Sequence, residues 1–389
     1  MIIEFIANIS RRVFIYIEKF VNKPTWILQF ALLCTFLCVC FSFPPHNLRS
    51  AINPYWKALN EQIISPLKIN ETTYKDPADN IAKRAFRLTM PVLGHIFGLK
   101  VIHLIIIQQI CGVFFFIVLA RLFQKITNDR VTAFLLVAGI SFIYVGKACF
   151  WDIKYVWFDG IAYFLLTLAI MYSHQSLIVL FTLAACFLDE RAVIASFFVY
   201  FWWKMKEQGI ENFNFKSVFS LGKSSTAVLY AWAAYFLLRF YLGQKYGLST
   251  PIGSNAHVGL YSLKINSSFI AAAIFTPIEF FWILLLFALI ILNKLKFYFQ
   301  LFLFLVGICA VTAVALSVGD VTRSLCYIFP SFFVALFILQ KVEKTVTLRY
   351  IALFIALFNF IIGSYFVLNQ IQPIAPSFKF FYILNEGAF

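Results

Sequence analysis

Three short stretches of the sequence place carboxylates beside basic side chains, within or next to long apolar runs. They are residues 151–160 (WDIKYVWFDG), 188–192 (LDERA) and 319–323 (GDVTR). Carboxylates can transfer protons, and arginines can bind phosphate through charge-assisted hydrogen bonds. We therefore expect a polar site for a reaction or for an anion where these stretches meet.

The middle stretch stands out because three consecutive charges interrupt an otherwise uncharged run. Asp189, Glu190 and Arg191 lie within residues 176–203, and charges at bilayer depth are costly and commonly functional. If this run crossed the membrane once, the lysines of residues 204–223 and all later basic loops would lie outside. If the chain turns back at the triplet, these loops lie inside, as the positive-inside rule requires. We predict a short-armed, broken helical hairpin whose tip, the triplet, faces a water-accessible cavity.

The composition is typical of a polytopic membrane protein. Of the 389 residues, 62% are apolar and 13% are charged, whereas about 25% of the residues in soluble domains are charged. At roughly 20 residues per crossing, the apolar runs predict an all-α bundle of about ten or eleven membrane helices. The net charge of +15 comes largely from short loops, which indicates membrane orientation and contact with lipids, and not nucleic-acid binding.

The apolar runs divide the chain into three parts. We predict a cytoplasmic interfacial amphipathic helix over residues 1–24, a transmembrane domain over residues 25–371 and a C-terminal tail over residues 372–389. The transmembrane domain contains a long outer loop with a membrane-parallel helix (44–98), the broken hairpin (176–203) and a second outer loop (244–276). The Phe-rich and Lys-rich composition predicts a bacterial inner (plasma) membrane, with the N-terminus in the cytoplasm and the polar cavity facing outside.

Each charged stretch also has a purely structural interpretation. Asp152 and Asp159 can be solvated loop acids, and Asp320 can serve only as a helix cap. Arg84 and Arg87 precede an amphipathic helix, so they either contact lipid headgroups or hold a phosphate at the mouth of the cavity. These alternatives stay open at the level of sequence.

The arrangement resembles the GT-C superfamily of integral-membrane glycosyltransferases. That plan has a cytoplasmic N-terminus, a long first outer loop with membrane-parallel helices, acidic residues in the first two outer loops, and short broken helices around an outward-facing cavity. The stretches that match are the loop 44–90, WDIKYVWFDG, LDERA, and GDVTR before a helix. The resemblance covers residues 25–340 as architecture. The chain departs from the plan because residues 44–60 lack the acidic base that usually follows the first span.

The resemblance implies transfer of a sugar from a polyprenyl-phosphate-linked donor to a glycan or lipid acceptor at the outer face. It assigns proton transfer and acceptor positioning to Asp159, Asp152, Asp189 and Glu190. It assigns substrate binding, including the leaving phosphate, to Arg191, Arg323, Asp320, Arg87, Arg84 and Lys154. No cofactor is implied. Carboxylates could hold a divalent metal ion, but the eight cysteines and five histidines show no metal-ligand spacing.

Two other classes of protein fit part of the pattern. A broken helix with ionisable residues is also how secondary transporters build substrate and ion sites, although no second matching broken helix is evident. A polysaccharide polymerase or flippase would share the lipid-linked substrate and the outer face. The acids do not form the repeated ring that a channel would require.

Overall fold

The computed structural model describes residues 2–42, 54–68, 81–151, 153, 155–251, 256, 258–362, 365–367 and 371–373. Helices account for nearly all of this part of the chain, as predicted. They are α1 (Ile2–Val21), α2 (Trp26–Ser42), α3 (Pro54–Ile64), α4 (Thr89–Phe97), α5 (Val101–Thr127), α6 (Arg130–Phe142), α7 (Tyr144–Trp151), α8 (Asp159–Met171), α9 (Gln175–Cys186), α10 (Arg191–Gln208), α11 (Phe215–Val218), α12 (Lys223–Tyr246), α13 (Leu260–Asn266), α14 (Ile270–Phe275), α15 (Phe281–Lys294), α16 (Tyr298–Leu316), α17 (Val321–Leu325), α18 (Pro330–Gln340) and α19 (Thr345–Ile362).

Short pieces of other structure accompany these helices. Single turns of 3-10 helix cover Ala82–Arg84, Ser267–Phe269 and Cys326–Ile328. Two antiparallel strands that the sequence did not predict, β1 (Tyr365–Val367) and β2 (Ile371–Pro373), form a small hairpin. The Val367 backbone N–H donates to Thr322 Oγ1 (2.8 Å), so this hairpin packs on α17.

Local sequence signals set several helix ends. Asp129 caps α6 because its carboxylate accepts from the Thr132 backbone N–H at 2.9 Å. Helix α5 ends at Asn128 and α12 ends at Gly247, both in the left-handed conformation that these residue types tolerate. Gly160 lets α8 approach α7, because a Cβ atom at this position would lie 2.3 Å from Cys149 Sγ.

Several helices are long and apolar enough to cross a membrane. Five qualify individually: α5, α12, α16, α19 and the continuous segment Val321–Gln340 that contains α17 and α18. Two bent pairs raise the number to seven if each is one span, namely residues 8–40 with a bend of 113° and residues 130–151 with a bend of 56°. Other apolar helices, such as α8, α9 and α15, are shorter. By length and composition, the described ranges thus yield five to seven candidate spans, fewer than the ten or eleven predicted.

The connections α5–α6, α8–α9, α10–α12, α15–α16 and α18–α19 lie at one end of the bundle, which we call the basic end. Gln300 at the start of α16 donates to the carbonyl oxygen of Ile210 (2.6 Å) in the α10–α11 connection. Arg349 of α19 pairs with Asp129 between α5 and α6 at 2.7 Å. Exposed lysines and arginines populate these connections.

The chain folds back at the Asp189–Glu190–Arg191 triplet. Gln175 Nε2 at the start of α9 donates to the carbonyl oxygen of Lys223 (2.8 Å), and the Glu207 carboxylate near the end of α10 accepts from the Ser224 backbone N–H (2.5 Å). The start of α9 and the end of α10 therefore both lie beside the start of α12, and the triplet between them lies at the opposite end of the bundle. The second arm is longer than predicted because α10 continues through Lys204, whose ammonium group donates to the carbonyl oxygen of Ser217 (3.1 Å).

Candidate functional site

Six charged side chains of alternating sign form a continuous series of contacts at the end of the bundle opposite the basic end. We call this series the ion ladder. Its order is Arg87, Asp189, Arg191, Asp159, Arg323 and Asp320. Four segments that are far apart in the sequence contribute to it, so the ladder forms only in the folded chain. Three arginines and three carboxylates give it a formal charge of zero.

The hairpin tip contributes the most regular part of the ladder. Arg191 donates from Nε and Nη2 to the two carboxylate oxygens of Asp189, at 2.6 and 2.7 Å, which makes a bidentate pair. Arg87 Nη2 lies 2.9 Å from Asp189 Oδ2 on the other side. Thr89 Oγ1 donates to the carbonyl oxygen of Ala184 in α9 (2.8 Å), which holds the segment before α4 against the tip.

Asp159 lies at the centre of the ladder and is only 2% exposed. Its carboxylate accepts from Arg323 Nε (2.6 Å), from Arg191 Nη2 (3.2 Å) and from the Tyr327 hydroxyl (2.9 Å). It is the first residue of α8, where the helix dipole favours negative charge. Two cations, a hydroxyl and a helix terminus therefore stabilise this buried carboxylate.

Arg323 completes the buried part of the ladder. Its Nη1 donates to Asp320 Oδ2 at 2.8 Å, and Asp320 is the N-cap of α17. The guanidinium carbon lies 3.4 Å from the centre of the Trp157 ring, which is stacking contact. Its Nη2 is buried and has no hydrogen-bond partner among the described residues. Arginine is the residue type that can stack and bind an anion at the same time.

A small cavity borders the ladder. Its wall includes Gln62, Arg84, Arg87, Trp157, Phe158 and Leu188. Val156, which also lines it, has φ +46°, a conformation that β-branched residues rarely adopt. Such backbone strain, of order 1–3 kcal/mol, is found mainly at ligand-binding and catalytic sites. Here the strained residue directly precedes Trp157, the ring that supports Arg323.

Arg84 belongs to the cavity wall and not to the ladder. Its Nη2 donates to the carbonyl oxygen of Tyr155, and its guanidinium carbon lies 5.4 Å from the centre of the Tyr55 ring. Gln62 Nε2 donates to the Arg84 carbonyl oxygen at 3.2 Å. Arg84 therefore joins the segment before α4 to the connection before α8, and its guanidinium group lies on the cavity wall.

Glu190 belongs to a second polar cluster beside the hairpin tip. Arg239 of α12 donates from Nη1 to Glu190 Oε2 (3.0 Å) and to the Tyr235 hydroxyl (2.6 Å), and from Nη2 to Thr250 Oγ1 (2.7 Å). The Arg239 guanidinium carbon lies 4.3 Å from the centre of the Phe86 ring. Sequence reasoning missed Arg239, although a single charge inside an apolar run was a usable signal.

The structure places the predicted site residues at different positions. The structure brings six of them into the ladder: Asp159, Asp189, Arg191, Arg323, Asp320 and Arg87. Glu190 lies in the adjacent cluster and Arg84 on the cavity wall. Asp152 and Lys154 lie outside the described residues. Tyr327 and Trp157 contact the ladder but were not predicted, because their residue types are common in apolar segments and carry no distinguishing signal.

The four acids at the hairpin tip and in the ladder all bind arginines but differ in exposure. Asp159 and Asp189 are 2% and 3% exposed, and both oxygens of each accept from arginines, which leaves little room for another partner. Asp320 is 17% exposed and Glu190 is 31% exposed. Burial raises the pKa of the Asp320 carboxyl, although Arg323 and Arg191 act to lower it. A carboxylate with a raised pKa is a stronger base, which suits Asp320 for proton abstraction.

Within the described ranges, no group of three or more His, Cys, Asp or Glu side chains is arranged to hold a metal ion. Comparison of the chain with protein-family models, curated proteins and solved structures gives no match. A functional assignment therefore rests on the geometry and electrostatics of the ion ladder and its cavity.

Proposed function

We propose that this protein is a membrane-embedded glycosyltransferase. It moves a sugar from a lipid-linked polyprenyl phosphate donor to a glycan or lipid acceptor at the outer face of the membrane. The observation that carries the proposal is the set of arginines in the ladder, two of which have buried N–H groups without a partner among the described residues, Arg87 Nε and Arg323 Nη2. The proposed location is the bacterial inner membrane, with the basic end in the cytoplasm.

The unpartnered N–H groups are suited to a phosphate oxygen. Leaving a buried donor unsatisfied costs about 1–3 kcal/mol, and more for a charged group. A phosphate oxygen that reached Arg87 Nε or Arg323 Nη2 would accept the hydrogen bond that this donor lacks among the described residues. Phosphate fits because its oxygens match the planar fork of arginine. The wall of the cavity beside the ladder contains two arginines, Arg84 and Arg87.

The proposed reaction needs a base as well as phosphate ligands. The acceptor hydroxyl oxygen attacks the anomeric carbon, the bond from that carbon to the phosphate oxygen breaks, and the phosphate leaves with the electron pair. The acceptor proton goes to a carboxylate, and Asp320 or Glu190 fits this role because both retain exposed surface. Asp159 and Asp189 then act as positioning residues that hold Arg191 and Arg323 in place.

A binding experiment with a matched control tests the phosphate site. Purified protein in detergent micelles is titrated with undecaprenyl phosphate and with undecaprenol, and bound lipid is counted by native mass spectrometry. We expect the phosphate to bind at least about tenfold more tightly, since one charged hydrogen bond is worth about 1.5–3 kcal/mol. Arg323→Gln should remove this preference, and Lys206→Gln at the basic end should retain it. Equal binding of alcohol and phosphate by the wild-type protein would refute the proposed site.

A second candidate function is transport of an anionic or lipid-linked substrate, which one observation favours. Glu279 is fully buried before α15, and neither of its carboxylate oxygens has a hydrogen-bond partner among the described residues. It lies near enough to the buried Lys147 for the two charges to interact, and its φ is +47°. Ionisable groups inside a helix bundle are common in transporters, where they exchange protons or ions.

The two candidates differ in what Glu279→Gln should change. A transporter that uses this carboxyl group would lose movement of substrate across proteoliposomes and would keep phosphate binding at the ladder. A glycosyltransferase would keep both its phosphate binding and its sugar transfer in this variant.

A further inference from the structure

Helix α1 lies across the start of the first membrane helix and not in line with it. The bend between residues 8–21 of α1 and residues 26–40 of α2 is 113°. Since α2 is apolar and enters the bundle from the basic end, α1 extends sideways over that end. This is the position of a helix at a membrane surface.

Two arginines of the bundle fix α1 in this position. Arg349 of α19 lies between two carboxylates, with Nη1 2.6 Å from Glu18 Oε1 and Nη2 2.7 Å from Asp129 Oδ1. Arg130 Nη1 donates to the carbonyl oxygen of Val21 (3.2 Å), the last residue of α1, where the helix dipole favours a cation. Polar contacts from α6 and α19 therefore set how α1 is rotated.

One face of α1 is buried against the bundle. Ser10, Phe14 and Val21 are buried on this face. The Phe14 ring packs edge-on against the Tyr350 ring, with 5.3 Å between their centres. This contact and the Arg349–Glu18 pair hold the side of α1 that carries Phe14 and Glu18 against the bundle, although the Glu18 side chain is 43% exposed.

The remaining faces of α1 carry exposed bases and exposed apolar side chains. The apolar residues are large: Ile9 is 46% exposed, Ile15 is 44% exposed and Tyr16 is 72% exposed. Exposed bases accompany them on the helix and in the turn after it, namely Arg11, Arg12, Lys19 and Lys23. Among the described side chains of α1, the one acid is Glu18, and Arg349 already neutralises it. The exposed side of α1 therefore presents positive charge beside apolar surface.

We propose that this exposed side of α1 binds the anionic phospholipid headgroups of the membrane leaflet at the basic end. Positive charge beside large apolar side chains is the pattern of a helix that inserts Ile and Tyr at the acyl boundary and places Arg and Lys among the headgroup phosphates. Each base near an anionic surface strengthens the attraction to that surface. The bases sit on a helix whose rotation the bundle sets, so the surface is already formed before lipid arrives. The site is independent of the ion ladder at the other end of the molecule.

Lipid titration of the purified full-length chain tests this site. Phosphatidylglycerol and phosphatidylcholine are added to the protein in neutral detergent, and bound lipids are counted by native mass spectrometry. We expect the wild-type protein to prefer phosphatidylglycerol, and Arg11→Gln/Arg12→Gln/Lys19→Gln to lower its apparent affinity by about tenfold or more, because three bases are removed. The matched control Lys216→Gln/Lys223→Gln/Lys294→Gln removes the same charge from the basic end outside α1 and should keep the preference. The charge-preserving variant Arg11→Lys/Arg12→Lys/Lys19→Arg should also keep it.

Three results would overturn the proposal. The first is an unchanged preference for phosphatidylglycerol in the glutamine variant of α1. The second is an equal loss in the control variant, which would show a diffuse effect of net charge. The third is displacement of the lipid by soluble glycerol phosphate at equal phosphate concentration, which would show a site for free phosphate. Circular dichroism of each variant shows whether its helices are intact, and the charge-preserving variant keeps the test decisive if the glutamine variant is unfolded.

Discussion

Replacement of Asp159 by asparagine removes the negative charge that lies between two buried arginines. The carboxylate accepts from Arg323 at 2.6 Å, from Arg191 at 3.2 Å and from Tyr327 at 2.9 Å. Asparagine has the same shape but offers one acceptor oxygen, and its amide N–H groups face the N–H groups of an arginine. The ladder then carries a formal charge of +1 in a region where Arg323 is 4% exposed.

Asp159→Asn should lower the free energy of unfolding strongly because the charges are buried. Removing one partner of a buried ion pair typically costs about 3–5 kcal/mol. Asparagine retains the Tyr327 hydrogen bond, so we expect a loss of about 4 kcal/mol in the free energy of unfolding, within that range. Asp320→Asn is the matched control, since it also removes a carboxylate bonded to Arg323, but one that is 17% exposed at the end of the ladder. Asp320→Asn should lower the free energy of unfolding by about 1 kcal/mol.

Unfolding in mixed micelles can measure both values. The purified variants are titrated with sodium dodecyl sulfate while helicity is followed by circular dichroism, and free energies are compared at a common detergent fraction. The double variant Asp159→Asn/Arg323→Gln closes a thermodynamic cycle. Because the two side chains are in direct contact, we expect a coupling energy of about 1–3 kcal/mol.

Two outcomes would refute the reasoning. If Asp159→Asn destabilises the protein no more than Asp320→Asn, then Asp159 is not the buried centre of the ladder. If the coupling with Arg323 is below about 0.5 kcal/mol, the two side chains behave as independent sites. Either result would also remove the proposed positioning role of Asp159.

Three further predictions concern other parts of the molecule. Arg323→Lys loses the planar fork and the contact with Trp157, so undecaprenyl phosphate affinity should fall about tenfold in the native mass spectrometry titration. Gly160→Ala places a Cβ atom 2.3 Å from the sulfur atom of the neighbouring helix α7, and overpacking of this kind should lower stability by about 1–3 kcal/mol in the same detergent titration. Burial raises the pKa of Asp129, but hydrogen bonds led by that from Arg349 outweigh burial and hold it below its usual value. A carboxyl group whose pKa is depressed by folding stabilises the folded state at pH values above its unfolded pKa of about 3.9. This stabilisation is lost as pH falls through the pKa of the folded state. Arg349→Gln should therefore weaken the pH dependence of unfolding in this acid range.

Local signals in the sequence predicted a good part of the architecture. Apolar runs predicted a helical membrane protein, because backbone N–H and C=O groups in lipid must be paired within the segment, as they are in a helix. The placement of basic loops predicted a turn at LDERA, and the start of α9 and the end of α10 both lie beside the start of α12. The described ranges hold five to seven helices long and apolar enough to cross a membrane, against ten or eleven membrane helices predicted with short arms included, because helices such as α8 end after 13 residues.

Composition and charge placement thus determined the class of structure and marked most of the acids and bases of the site. Only the tertiary structure decided which of them meet. Asp159 and Arg323 are separated by 164 positions in the sequence, and no local pattern predicts a 2.6 Å contact between them. Packing also decided exposure, which places Asp159 and Asp189 as supports for arginines and leaves Asp320 and Glu190 nearer to solvent. The physical reason is that hydrophobic periodicity and positive-inside bias act on each segment separately, whereas ion pairing and burial depend on which segments become neighbours.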